Sequence, residues 1–284
     1  MIVAERAPAK LNLYLHVIGR RPDGYHLLDS LVAFADIGDE IRAAPAAALG
    51  LALAGPFAEG LPRKPEDNLV WHAALLLARH LGRSPGAALT LVKNLPVASG
   101  IGGGSSDAAA ALRALLALWG GALDRGTLAA LAARLGADVP VCLDARAAWL
   151  GGIGDAVEPA PPLPATHVVL ANPGIALPTP AVYQSRRGDF SAPARFAMPA
   201  DAAHLAALLA ERRNDLTAAA IALVPEIGVV LARLAAAEGA CIARMSGSGA
   251  TCFALFATAA TAAAAAARLR REEPRWWVAA GRLT

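Results

Sequence analysis

The sequence predicts an α+β fold in two halves, and three features carry that reading. Strand-like and helix-like segments are mixed without a repeating strand–helix–strand rhythm or an internal repeat. A loop rich in glycine and serine, within "LPVASGIGGGSSDAAAAL" (Leu95–Leu112), switches abruptly into strong helix formers. A proline cluster, "PAPPLP" (Pro159–Pro164), reads as a junction, placing one domain over residues 1–160 and a second over 161–284.

Each element follows from its local pattern. In "AKLNLYLHVIG", Ala9, Leu11, Leu13, Leu15 and Val17 alternate with Lys10, Asn12, Tyr14 and His16. That period predicts a strand with one buried and one polar face, with Lys10 and Asn12 side by side on the polar one. "RRPDGYHLLDS" (Arg20–Ser30) is a turn punctuated by Pro22, Asp23 and Gly24, after which Leu31–Pro45 resumes as strand. Leu49–Gly55 predicts another strand, and 62–67 a loop. Asn68–Gly82 has helical spacing, with Asn68 at its start and Gly82 past its end. Ala87–Pro96 predicts a strand running into the glycine loop, and a helix follows from near Ser105 to about Trp119. Asp124–Asp138 holds a second helix stopped by Gly136, and Ala148–Ala160 reads as strand and turn. Beyond the junction come a strand (Thr166–Gly174), helices over Leu205–Val224 and Glu226–Glu238, a strand–glycine turn–strand (Ala240–Ala257) and a helix over Thr258–Glu273.

Composition narrows the function classes. No stretch reaches the ~18–20 strongly apolar residues of a membrane span, so no membrane partner is expected. Charges stand where a signal peptide would have its apolar core, which makes the cytoplasm the expected compartment. Cys142, Cys241 and Cys252 show no metal-ligand spacing and read as buried small hydrophobes in a reducing compartment. A net charge of +3 suits anionic substrates, while scattered arginines with no long basic run or RNA motif point away from nucleic acid.

The glycine loop has a physical reading of its own. Glycine admits positive φ and close approach, and a helix start offers unpaired N–H groups at the positive end of a dipole. Gly100–Ser106 thus reads as a phosphate cradle. No lysine stands near Gly104 and Ser105 as a Walker A loop requires, and neither GxGxxG nor GxSxG is present. Backbone amides and serine hydroxyls must then hold the phosphate.

Four blocks in order carry a resemblance. "PVASGIGGGSSDAAA" resembles the phosphate loop of the GHMP kinases, the galactokinase, homoserine, mevalonate and phosphomevalonate kinase superfamily. "SGSGATCFALF" is similar to that superfamily's third motif. "APAKLNLYLHVIGRRPDGYHLLDS" and "LGADVPVCL" resemble the branch acting on 4-diphosphocytidyl-2-C-methyl-D-erythritol (CDP-methylerythritol) in non-mevalonate isoprenoid precursor biosynthesis. The resemblance implies an N-terminal domain like the second domain of ribosomal protein S5, a ferredoxin-like C-terminal domain, and ATP-dependent, Mg²⁺-assisted phosphorylation of the acceptor's 2-hydroxyl. The alternatives are a GHMP kinase for homoserine or mevalonate and a non-catalytic nucleic-acid binder on the S5-like fold. "GYH" and "PTPAVY" favour a nucleotide-bearing acceptor over the first, and acceptor-dependent ADP release would exclude the second.

Site residues are carried over position by position. Lys10, which alone reads as a solvated strand lysine, is implied to offset developing charge, and Asn12 to hold substrate. Asp138 alone reads as the N-cap of a helix containing Pro140; the resemblance makes it the base that takes the hydroxyl proton. Pro96, Val97, Ala98, Ser99, Gly100, Ile101, Gly102, Gly103, Gly104, Ser105 and Ser106 form the implied ATP phosphate loop, with Ser105 also near Mg²⁺. Asp107, in the first helical turn, is expected to face outward or to reach the metal through water. Asn68 and Lys93 are implied to lie near adenine, though helix cap and strand-end lysine describe them as well. Tyr25 and Tyr183 are implied to stack on cytosine, His26 to bond its edge, and Thr179 and Pro180 to close the pocket. The remaining histidines read as structural, and Gly247 and Gly249 as the turn bringing the third motif to the loop.

Overall fold

The computed structural model describes residues 2–284. Two compact units form, and both are discontinuous in sequence. The first holds residues up to Ala9, Gly38–Val97 and Gly102–Ala145; the second holds Lys10–Ile37, Ala98–Ile101 and Arg146–Thr284. Two long paired strands, β1 (Val3–Arg20) and β2 (His26–Ala44), contribute to both.

In the first unit, β3 (Leu49–Ala54) runs parallel to β4 (Ala87–Val92), and β4 pairs antiparallel with Glu40–Ala44 of β2. Four helices complete it: α1 (Leu69–His80), α2 (Gly103–Trp119), α3 (Arg125–Ala133) and α4 (Val139–Asp144). Helix α1 buries Val70, Ala73, Ala74, Leu77 and Ala78, a stripe at helical spacing. It packs on α2, where the buried Ala108–Ala111 run lets neighbours approach closely. Helix α2 starts at Gly103, ahead of the expected Ser105, because Gly102 takes a left-handed conformation (φ +64°) that turns the chain directly into the helix.

The second unit contains the hairpin β5 (Ala148–Gly151) and β6 (Ala156–Pro159), with β5 paired to Ser30–Val32 of β2. It also contains an antiparallel sheet in the order β10 (Trp277–Arg282), β7 (His167–Asn172), β9 (Cys252–Phe256), β8 (Ala240–Met245). Helices α5 (Thr179–Ser185), α6 (Ala202–Ala210), α7 (Thr217–Leu223), α8 (Glu226–Ala235) and α9 (Ala259–Glu272) accompany it. One core cluster joins Leu15 and Val17 of β1 to Val169, Ile227, Val230, Leu234, Phe256 and Leu269.

Four details depart from the sequence reading. The alternation in β1 predicts a polar face, yet Lys10, Asn12, Tyr14 and His16 are buried along with their apolar neighbours. The helix expected over Leu205–Val224 is two helices, because Asn214 lies between them: its Oδ1 accepts from Leu216 N (2.9 Å) and its Nδ2 donates to the carbonyls of Met245 and Gly247. Strand β10, absent from the sequence reading, pairs with β7. Of the cysteines, Cys142 and Cys252 are buried, but Cys241 is exposed, at the register shift between Ala240 and Ile242 where β8 pairs irregularly with β9.

Candidate active site

The glycine loop is held by different means in its two halves. In the second unit, Ser99 O accepts from Thr251 N (3.0 Å), and Gly100 O accepts from the Ser246 hydroxyl (3.0 Å). That hydroxyl also accepts from Asn12 N (3.1 Å), and Lys10 N donates to Ile101 O (2.9 Å). Backbone bonding thus fixes the strand bearing Lys10 and Asn12 against Ala98–Ile101 and the β8–β9 turn. The turn expected from Gly247 and Gly249 is present. A Cβ on Gly247 would sit 2.7 Å from Gly100 O, and one on Gly100 would sit 2.6 Å from Gly249 O.

Asn12 is oriented further along β1. Its Nδ2 donates to Ser30 Oγ (2.8 Å), and that hydroxyl donates to Tyr14 O. The Tyr14 hydroxyl donates to Asp29 Oδ2 (2.8 Å), so burial and the adjacent carboxylate push its pKa up. Residues 191–196, between α5 and α6, are strapped along this strand. Ser191 N donates to Val17 O, Ala194 N donates to Asp29 Oδ2 (2.7 Å), and Phe196 meets Trp149 edge-on.

In the first unit, Gly102 caps α2 with no side-chain hydrogen bond, and the first helical bond runs from Ser106 N to Gly102 O. The amides of Gly103, Gly104 and Ser105 therefore have no intrahelical acceptor. Gly104 is exposed, and a Cβ there would meet only Leu69 Cδ1 at 3.8 Å. Ser106 is committed elsewhere: its hydroxyl donates to Pro8 O (2.6 Å), which leaves Ser105 as the hydroxyl available to a ligand.

Asp107 corrects the sequence reading. It does not face outward but turns inward, onto Lys93: Lys93 Nζ lies 2.6 Å from Asp107 Oδ2 and 2.6 Å from Asp39 Oδ2. All three side chains are buried. The alternation of β4 turns Lys93 inward, and the helix start at Gly103 swings Asp107 to the buried face of α2. Asp39 Oδ1 accepts from Asn94 N (2.6 Å) and Leu95 N (2.8 Å), immediately before Pro96 and Val97 lead into the loop. Burial pushes the Asp107 carboxyl up to about 8; Lys93 opposes this and Asp39 reinforces it. The ammonium expected near adenine is thus engaged by two carboxylates. Asn68 takes the capping role, its Oδ1 accepting from Val70 N (2.9 Å).

Asp138 directly precedes α4, as a cap would, but makes no capping hydrogen bond with its side chain. The capping reading therefore does not account for its carboxylate. Arg113, a residue the sequence analysis passed over, holds α4 in place: its Nη1 donates to Cys142 O and Leu143 O (3.1 Å each), and its Nε pairs with Glu5 (2.9 Å). A lone arginine inside an alanine helix was the available signal.

For the expected cytosine pocket, the rings of His26 and Tyr183 stack at 5.1 Å and 27°, while Tyr25 is 61% exposed. The stacked pair is thus His26 with Tyr183. Burial, then the charges of Arg20 and Arg186, hold the His26 pKa below its ordinary value. Thr179 and Tyr183 share a face of α5, with Pro180 in its first turn, and Thr179 Oγ1 lies 2.8 Å from Ser248 Oγ. Among the described residues, no group of three or more His, Cys, Asp or Glu side chains could hold a metal ion, and no helix is long and apolar enough to cross a membrane.

The family model for the N-terminal domain of GHMP kinases matches residues 68–152, and that for their C-terminal domain matches 197–275. The chain belongs to the GHMP kinases. It is 55% identical over 280 residues to a 4-diphosphocytidyl-2-C-methyl-D-erythritol kinase of Cereibacter sphaeroides, covering 98% of both chains. Its identity to the enzyme of that name from Paramagnetospirillum magneticum is 53%, covering 98% of this chain and 97% of the other. A crystal structure of 4-(cytidine 5'-diphospho)-2C-methyl-D-erythritol kinase superposes with a TM-score of 0.80 at 38% identity, covering 99% of this chain and 98% of that one. Homoserine kinase from Cytophaga hutchinsonii, at 18% identity and a TM-score of 0.75, shares the fold. This GHMP kinase thus has the expected two-domain family fold, and as a member of the family it uses ATP.

Proposed function

We propose that this GHMP kinase transfers the γ-phosphoryl group of ATP to the 2-hydroxyl of CDP-methylerythritol, in the cytoplasm and within non-mevalonate isoprenoid precursor biosynthesis. One observation carries the phosphoryl-transfer reading: the Ser246 hydroxyl and the Lys10 amide tie the Lys10–Asn12 strand to Gly100–Ile101 of the glycine loop. The choice of acceptor is supported by full-length likeness to kinases named for it. The domains remain proposed as 1–160 and 161–284, with the two family matches falling on either side of residue 160.

The residues fit a bound triphosphate. The uncapped start of α2 and the uncrowded, exposed Gly104 suit an anion that backbone amides must hold. ATP, when bound, supplies the phosphoryl group, and Mg²⁺ held by its phosphates and Ser105 would screen their charge. The protein's part is position and charge. Residues 96–106 form the loop whose free amides, those of Gly103–Ser105 among them, orient the triphosphate, with Asn68 beside the adenine. Lys10 offsets the charge that develops on the migrating group. Asn12, aimed by Ser30, holds the acceptor, and Asp138 takes the proton of the attacking hydroxyl. Tyr25, His26, Thr179, Pro180 and Tyr183 hold the cytidine end.

Asp138→Asn tests the chemistry. Asparagine retains the shape and removes the base, so turnover should fall by about 10² to 10⁴ while stability holds within about 1 kcal/mol. The measurement is ADP release by purified protein across CDP-methylerythritol, homoserine and mevalonate. Equal turnover on the three acceptors, or near-normal turnover in the folded variant, refutes the assignment.

A further inference from the structure

The buried Lys93–Asp39–Asp107 group has a geometry that stability alone does not call for. Burying an ammonium with two carboxyl groups takes three ionisable side chains out of water, and a buried ion pair is weak evidence for stability. Its connections lie at both ends of the glycine loop. Asp39 accepts the amides of Asn94 and Leu95, where the chain runs into the loop. Asp107 stands in α2, into which the loop opens, and Lys93 Nζ would be 3.0 Å from a Cβ on Gly103, the first residue of that helix. We infer that Lys93, Asp39 and Asp107 are positioning residues that set the spacing between the two ends of the phosphate loop, and with it the aim of the amides of Gly103–Ser105. This rests on the reading that the loop holds ATP.

The two carboxylates are not equivalent. Asp39 uses both oxygens as acceptors, one for Lys93 and one for the two amides. An asparagine there must turn an NH₂ donor toward one of those donors. Asp107 uses one oxygen for Lys93, while its Oδ1 is buried without a hydrogen-bond partner. An asparagine there keeps the bond to Lys93 through its carbonyl oxygen.

The experiment measures binding of a non-hydrolysable ATP analogue, KM for the acceptor and thermal stability. The full chain is used as wild type, Asp39→Asn, Asp107→Asn, and Lys93→Met with Asp107→Leu. The double variant replaces the Lys93–Asp107 pair with apolar side chains of similar size and leaves Asp39 to the amides of Asn94 and Leu95, so its melting temperature is read alongside binding. Asp39→Asn and the double variant should weaken analogue binding at least tenfold, with the acceptor KM within about twofold, and Asp107→Asn should stay within about threefold on both. Wild-type affinity in the folded double variant or in folded Asp39→Asn overturns the positioning role, even if the melting temperature drops. Equal losses for ATP and acceptor overturn it too. A wild type that binds no analogue overturns the nucleotide reading and this inference with it, whereas binding by wild type isolates the result to the three residues.

Discussion

Gly100 and Gly104 belong to one loop, yet their missing side chains answer to different neighbours. At Gly100 the protein's own backbone fills the space: a Cβ would fall 2.6 Å from Gly249 O and 2.7 Å from Ser246 O, at a φ of +76°. At Gly104 the nearest atom is 3.8 Å away, and the residue is exposed in the first turn of a helix. A glycine inside a helix costs about 0.5–1 kcal/mol relative to alanine. The fold requires the first glycine, whereas packing gives no reason for the second. Under the proposed function, the room at Gly104 is where the phosphates would approach the loop amides.

Breaking the comparison from the packed side should give the largest effect. Gly100→Ala forces a side chain into backbone at a left-handed φ, so stability should drop by roughly 3 kcal/mol or more. Urea unfolding checks this, and an unchanged midpoint would mean that the β8–β9 turn yields to the new methyl group. From the open side, Gly104→Ala should raise stability by about 0.5–1 kcal/mol yet weaken ATP about tenfold. Tighter folding with unchanged ATP affinity would move the phosphates away from this turn.

A pH-dependent effect sharpens the contrast on the charged side. The Asp107 carboxyl is raised to about 8 by burial, so the folded protein holds a proton that the unfolded chain releases near its ordinary value of 3.8. Its contribution is therefore full below that lower value and is lost as pH rises through about 8. Asp107→Asn has no such loss, and its stability relative to wild type should improve as pH rises from about 4 to about 8, then level off. A pH-independent difference in melting temperature would show that Asp107 titrates as an ordinary carboxylate.

Much of this was legible because local rules and tertiary needs agreed. Asn68 before an apolar stripe gave a true cap, and the glycines of "SGSGAT" gave the turn against the loop. Burial of the polar face of β1 was not legible, since alternation reports two faces but not what covers each of them. Asp107 misled because a carboxylate near a helix start normally suits the dipole at the surface. Its partners Lys93 and Asp39 are distant in sequence, and only the pairing of β2 with β4 brings them within reach. Asn214 misled in the same way: its amide serves the carbonyls of Met245 and Gly247, far along the chain, and the helix stops to allow it.

The bond from Asn12 N to Ser246 Oγ spans 234 positions of sequence. On the ribosome, which builds from the N-terminus, the strand bearing Lys10 emerges before the segments that anchor it. Its anchors, Ser246 and the Ala98–Ile101 segment, are translated later, and Ser246 only after most of the chain exists. Contacts between such remote positions form slowly, because a long loop must close before any contact rewards it. The strand thus waits for its anchor, and a nascent chain cut short before Ser246 lacks the hydroxyl that ties Asn12 to the loop.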